Sequence, residues 1–360
     1  MMKRLFWAVL LLAIIAGQAL AQNTPTTTPT PALPPYYLLQ NVRYEPQQWN
    51  NCGPATLTNA LSYFGYQDNQ TRAAKWLKPN YEDKNVSPNQ LVDFVNTQVG
   101  ELPVYAKLRY AGNRDLMKRL LANNFPVIIE KGYDPPPHDL GWMGHYLLLI
   151  GYDESRTLYI THDSYESANY EYDYTYIEEF WQHFNYTYIV IYTVDREAEL
   201  NAILGEDADE RANIIHALEL ARAEAIANPD DAFAWFNMGT NFLALGMVNE
   251  AAIAYDQARS LNLPWRMYWY QFGPFEAYYQ VGRYTDMITL AQQNLNDGGG
   301  QFVEETFYYG GLARQGLGEY NRALANFDQA LAFNPNFAPA RTAREALVAL
   351  MQQQTTTSGG

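Results

Sequence analysis

Gln47-Gln48-Trp49-Asn50-Asn51-Cys52-Gly53-Pro54-Ala55-Thr56-Leu57 places the chain's single cysteine at the threshold of a helix. Proline suits a first helical turn, and Leu57, Leu61 and Phe64 follow at helical spacing, so the pattern predicts a helix over 54–64. A cysteine just ahead of that start meets unpaired amide groups and the positive end of the helix dipole. Both favour the thiolate and lower its pKa. Gly53 would allow a tight turn that leaves the Cys52 amide free to face an oxyanion, and Gln47 could supply a second donor. The competing reading is an inert thiol, although a structural cysteine would more naturally lie in the apolar stripe beside Leu57 and Leu61.

A nucleophilic thiol needs a base, and the chain has 5 histidines. His216 falls in a helical pattern and reads as a surface or packing residue. His183 lies in an aromatic helix over 178–185, with a core or surface role, and His138 follows Pro135-Pro136-Pro137 in a loop. His145 opens the strand His145-Tyr146-Leu147-Leu148-Leu149-Ile150-Gly151-Tyr152, and His162 stands at the end of the next. With Asp153-Glu154-Ser155-Arg156 as the turn, paired residue numbers sum to about 309. That sets His145 opposite residue 163 or 164, so Asp163 is within reach to orient the imidazole and stabilise its charged form. His162 points to the other face and reads as a surface or partner contact. A metal site from His145, His162 and Asp163 conflicts with that alternation, and no metal or cofactor is expected.

Further strands are expected over 125–130, 157–161 and 187–194, and further helices from Ser87-Pro88 through Val95 and over 113–123. Helices first and a sheet afterwards make an α+β domain. The segment Asn51–Leu57, then Gly144-His145-Tyr146 in a strand ending Gly151-Tyr152-Asp153, then Asp163, resembles the peptidase C39-like group, cysteine peptidases with a papain-like fold. The resemblance spans about 36–192. It implies Cys52 as nucleophile, His145 as general base, Asp163 as orienter and Gln47 as oxyanion donor. Two features depart from the family pattern. Asp163 is followed by Ser164 where proline is frequent, and Gln47 stands five rather than six residues before Cys52, which leaves Gln48 as a weaker alternative. C39 peptidases that cut after double glycine are fused to ABC transporters. No membrane-spanning or ATPase segment of that kind is read here, so that substrate is not carried over.

Lys3 and Arg4, the apolar run 5–17 and Ala19-Leu20-Ala21 read as an export signal over 1–21, with an uncleaved anchor as the alternative. No cysteine follows the cleavage site, which excludes a lipoprotein anchor. The segment 22–35 has five Thr and five Pro and reads as an extended tether, and 351–360 as a disordered tail. The net charge is -15, and -17 once Lys3 and Arg4 leave with the signal. Such a chain repels phosphate backbones and anionic membranes, so nucleic acid is not an expected partner. Neither a glycine-rich phosphate loop nor a CxxC pair is present.

Beyond residue 200 the strand signals stop. Gly246, Gly282 and Gly318 recur at 36 residues, each in the setting Leu/Val-Gly-x-Val/Tyr. Trp235, Gly239, Phe242, Ala251, Tyr255 and Ala258 surround the first, and Phe307, Gly311, Ala323, Phe327, Ala330 and Pro335 the last. This spacing resembles tetratricopeptide repeats, with a middle unit that carries Phe275 and Met287 where small residues belong. A leading helix over 209–228 completes the array. The expected organisation is a C39-like, papain-like α+β domain over 36–196 and an all-α repeat solenoid over 201–350.

The function expected is an exported cysteine peptidase that acts on a peptide or protein, with repeats that bind substrate or partner. The alternatives are a repeat-based binding module with a relic peptidase domain, and a transpeptidase or deamidase with the same triad. The Pro- and Gly-rich segment 134–144 is expected to form a flap beside the cleft.

Overall fold

Helix α1 (Cys52–Ser62) begins two residues earlier than its proline suggests, so Cys52 itself is the first helical residue. Every side chain from Gly53 to Leu61 is buried, because the helix packs on the sheet and on the helix that follows it. The computed structural model describes residues 32–134, 141–296 and 298–358. The expected leader, most of the Thr/Pro-rich tether, His138 and the centre of the expected flap lie outside these residues. From Pro34 onward the chain forms one compact unit.

The elements before the repeats are β1 (Tyr36–Leu38), α1, α2 (Gln70–Leu77), α3 (Pro88–Gln98), β2 (Val104–Arg109), α4 (Arg114–Ala122), β3 (Val127–Tyr133), β4 (Met143–Asp153), β5 (Leu158–His162), β6 (Tyr170–Asp173), α5 (Tyr174–Gln182) and β7 (Tyr188–Thr193). The strands form one sheet in the order β2-β7-β3-β4-β5-β6, antiparallel throughout. β1 joins the β3 edge of β4 once β3 has ended, pairing Leu38 with Gly151. A Cβ at Gly151 would lie 2.4 Å from the Tyr37 carbonyl oxygen, so only glycine lets the two strands meet there. β3 is buried along its length and β4 along nearly all of its, covered by α1, α4 and α5; β4 is accordingly mostly apolar, while β3 buries Glu130 and Lys131 after its apolar start Val127-Ile128-Ile129.

The β4–β5 register differs from the expected one. Pairs sum to 311 next to the turn, as in Tyr152 with Tyr159, and to 310 beyond Ile150, as in Leu149 with Thr161. Ile150 is the extra residue of a bulge. A uniform sum of 309 would have turned Asp163 to the face opposite His145. The bulge restores the parity, and with the alternation carried past His162, His145 and Asp163 become diagonal neighbours on one face.

The helical part comprises α6 (Glu197–Leu204), α7 (Glu210–Ala227), α8 (Ala232–Ala244), α9 (Val248–Ser260), α10 (Gly273–Gln280), α11 (Tyr284–Asn296), α12 (Glu304–Gly316), α13 (Tyr320–Phe333) and α14 (Ala338–Ser358). α7 is the leading helix, capped by Asp209 and ended by Asn228. Gly246, Gly282 and Gly318 all adopt positive φ, 77°, 74° and 77°, and turn α8 into α9, α10 into α11 and α12 into α13. A Cβ at Gly239 would meet the Tyr255 ring at 2.7 Å, and one at Gly311 the Phe327 ring at 2.5 Å. The middle unit exchanges the sizes: buried Phe275 stands at the glycine position, and Ala291 at the aromatic one. The expected tail is corrected by the helix: Gln352, Gln353 and Gln354 are good helix formers and carry α14 on to Ser358.

The sheet-bearing and helical parts share a polar interface. Asn185 and Asn241 exchange amide hydrogen bonds at 2.8 and 3.2 Å, Asn237 donates to the Gln182 carbonyl at 2.7 Å, and Tyr110 and Asn213 pair through two bonds of 2.9 Å. At the far end, Asp83, Glu304 and Glu305 are buried together beside Lys78. Burial, then the neighbouring carboxyls, push Asp83 and Glu305 well above the usual range, and burial raises Glu304. The folded state therefore keeps protons that the unfolded chain releases above about pH 4. The stability from these groups is complete below that pH and is lost as pH rises through their folded values. Thermal melts should show a Tm that falls between pH 5 and pH 8, and Glu305→Gln should flatten that fall and raise the Tm at pH 8.

Candidate active site

Cys52, His145 and Asp163 are brought together by α1, β4 and the loop after β5. His145 Nε2 lies 2.8 Å from Asp163 Oδ1, and the imidazole and the Cys52 side chain line the same cleft. Burial pushes the thiol pKa up, but the His145 hydrogen bond and charge, with the Tyr146 and Gly53 backbones, outweigh it and hold the thiol below its ordinary value. Burial likewise lowers the His145 pKa, and the Asp163 carboxylate more than reverses this, raising it to about 9. Asp163 is fully buried. Its Oδ1 also accepts from the Tyr165 and Glu166 amides at 2.9 and 3.2 Å, and its Oδ2 from the Tyr172 hydroxyl at 2.7 Å. Burial opposes its ionisation, but His145, Lys131 and Tyr172 together hold it well below the usual carboxylate range.

Gln47 lines the same cleft, and Ser164 decides how it is presented. The Gln47 amide N–H donates to the Ser164 carbonyl at 2.8 Å, and the Ser164 hydroxyl donates to Gln47 Oε1 at 3.1 Å. That leaves the Gln47 Nε2 group as a donor for the cleft. The residue at which the sequence departs from the family pattern is thus the one that orients Gln47. Gln48 lines the cleft as well, its backbone N–H held at 2.7 Å by Gln70 Oε1.

Gln70 gave no functional signal in the sequence, yet it fastens this loop. From the first turn of α2, buried, it donates from Nε2 to Glu45 Oε1 and to the Pro46 carbonyl, both at 2.8 Å. Its Oε1 accepts from Asn51 Nδ2 at 3.1 Å in addition to Gln48. Asn59 of α1 holds Glu45 through two backbone bonds of 2.9 and 3.2 Å. One amide from each of two helices therefore sets the approach of the chain to Cys52.

The cleft has a volume of about 460 Å³ and aromatic walls: Trp49, Tyr133, Tyr165 and Tyr270, with Met143. Trp49 and Tyr165 are 55% and 49% exposed, a degree of apolar exposure that suits ligand contact. Tyr270 comes from the middle repeat, between α9 and α10. A Cβ at Gly144 would lie 2.9 Å from the Tyr270 ring and 2.8 Å from Phe184, so the residue before His145 must be glycine for the repeat to close the cleft.

Of the other described histidines, His162 and His183 are buried in packing and hydrogen bonds. His162 is buried, which corrects the expectation of a surface contact: Nε2 faces the Val42 carbonyl at 3.2 Å and Nδ1 accepts from the Asn169 amide at 3.3 Å. His183 stacks on Phe233 at 3.6 Å and accepts from Trp142 Nε1 at 3.0 Å. His216 is exposed beside Asp207. Among the described residues no group of three or more His, Cys, Asp and Glu side chains is arranged for a metal ion, and no helix is long and apolar enough to cross a membrane.

A family model described as Peptidase_C39 like family matches residues 39–193. This part of the chain is a peptidase C39-like domain. The C39-like domain is followed by tetratricopeptide-like helices. Solved structures similar to the chain include one described as a C39-like peptidase from Bacillus anthracis, at 14% identity over 44% of this chain and 98% of that one, with a TM-score of 0.35. MamA from Desulfovibrio magneticus shows 14% identity over 44% and 97%, at 0.32. YrrB, a TPR protein with an unusual peptide-binding site, shows 13% identity over 49% and 82%, at 0.34. No curated protein matches.

Gln70→Leu removes the hub of the loop that precedes the C39-like domain's cysteine and leaves buried partners unpaired. Urea denaturation should show a loss of about 2–4 kcal/mol, more than one net hydrogen bond is worth.

Proposed function

We propose that the chain is an exported cysteine peptidase whose nucleophile is Cys52. The observation that carries this reading is the placement of Cys52, at the first residue of a buried helix, in one cleft with His145, whose imidazole is hydrogen-bonded to buried Asp163. The match of residues 39–193 to the C39-like family supports it, and the leader pattern around Lys3, Arg4 and Ala19-Leu20-Ala21 supports export.

In this mechanism the resting site is a Cys52 thiolate beside a His145 imidazolium. The thiolate adds to the scissile carbonyl carbon. The resulting oxyanion takes hydrogen bonds from Gln47 Nε2 and from the backbone N–H of Cys52, which has no partner within its helix. Collapse breaks the C–N bond as His145 gives its proton to the leaving amine, and an acyl-thioester remains. Water then attacks, His145 takes its proton, and departure of the thiolate restores the ion pair. Asp163 holds the ring orientation throughout. The tetratricopeptide-like helices would present part of the peptide, since Tyr270 stands in the cleft wall.

The single cysteine makes every alkylation product assignable. Iodoacetamide labelling should be fast well below the ordinary thiol pKa of about 8.5, whereas peptide hydrolysis should weaken above about pH 9, where His145 loses the proton it gives to the leaving amine. His145→Ala should convert the labelling profile to that of a free thiol. Labelling of the native protein that already titrates as a free thiol would refute the reading in favour of a repeat-based binding module. On a peptide library, Cys52→Ser should abolish hydrolysis. Gln47→Ala should lower kcat about 10²-fold, the scale of one oxyanion donor, and Ser164→Ala should lower it less.

A further inference from the structure

Lys131 of β3 is fully buried, although burial of an ammonium costs several kcal/mol unless something compensates it. Its Nζ donates to the Gly132 carbonyl at 3.2 Å. Around it stand four rings, Tyr133 at 4.5 Å, Tyr172 and Tyr176 at 5.2 Å and Phe180 at 5.9 Å from Nζ to ring centre. Such faces stabilise a desolvated cation. Two of the rings lead directly to the His145–Asp163 pair. Tyr172 donates to Asp163 Oδ2, and Tyr133 packs against the His145 ring with centroids 4.9 Å apart. Lys131 is also the cross-strand partner of His145 in the β3–β4 ladder.

We propose that Lys131 is a positioning residue for the reaction: its caged ammonium behind Asp163 holds that carboxylate ionised toward acidic pH, so that His145 stays an imidazolium and Cys52 a thiolate there. This rests on the cysteine-peptidase reading above. Asp163 has no exposed surface, and a buried carboxylate takes up a proton unless charge or donors oppose it. The groups that face Lys131 are Tyr133 on its own strand, His145 on β4, Asp163 and Glu166 in the loop after β5, Tyr172 on β6, Tyr176 on α5 and His183 at the end of α5. Burial, and then Lys131, push His183 down to about 3, so it adds no charge in the working range. Burial also lowers Lys131 itself, against the pull of Asp163 and Glu166, to about 7. Its charge is therefore complete on the acid side, where Asp163 is exposed to protonation.

The test is the pH profile of Cys52 alkylation in the full chain, with Lys131→Met and with Lys131→Gln, which keeps a donor for the Gly132 carbonyl. The expected result is an acid limb moved upward by about one pH unit in both variants, the scale of one nearby charge, with circular dichroism unchanged. Labelling slowed equally at all pH values with the limb in place would show a packing role and overturn the inference. If neither variant folds, carbon-13 lysine NMR of the wild type decides: a charged Lys131 through the acid range supports the inference, and a neutral amine at pH 5 overturns it. Fast wild-type labelling with an unmoved limb removes this inference alone. Free-thiol behaviour in the wild type removes the peptidase reading as well.

Discussion

One extra residue in β4 governs the site. Ile150 breaks the pairing with β5 once, and every residue before it changes face relative to that neighbour. His145 thereby shares a face with Asp163, while His162 turns to the opposite side and is absorbed by the Val42 carbonyl and the Asn169 amide. The same crossing point carries Gly151, against which β1 closes the sheet. A strand without the bulge would keep the core and still place the imidazole away from its carboxylate.

Sequence carried much of this pattern and missed its particulars for physical reasons. Cys52, His145 and Asp163 were legible because catalytic residue types stand beside strong helix and strand signals. The bulge was not, because β4 is apolar on both faces and an apolar run has no alternation to interrupt. β2 was missed since its Lys107 and Arg109 reach across to Asn201 and Asp207 and dilute the strand pattern. Gln70 and Ser164 act through amide and hydroxyl geometry at long sequence separation, which no local pattern announces. Lys131 lies just past the expected strand over 125–130, and no local pattern marks it as buried among aromatic rings.

The helical repeats gave the opposite lesson. Their period was plain from Gly246, Gly282 and Gly318, and the middle unit looked degenerate because its packing residues exchange sizes rather than vanish. What periodicity could not convey is that this unit leans on the C39-like domain. Tyr270 seats itself over Gly144, and Gln271 donates to the His183 carbonyl at 2.9 Å.

That exchange of Phe275 and Ala291 limits how the protein can vary. Most solenoids grow or shrink by whole units because neighbouring units present equivalent surfaces. Here the middle hairpin is matched only to itself, and it supplies a wall of the cleft. Insertion or loss of a unit would leave a mismatched joint and an open site together. The array behaves as a fixed-length part of its neighbour, and its diversity should be confined to outward side chains rather than to repeat number.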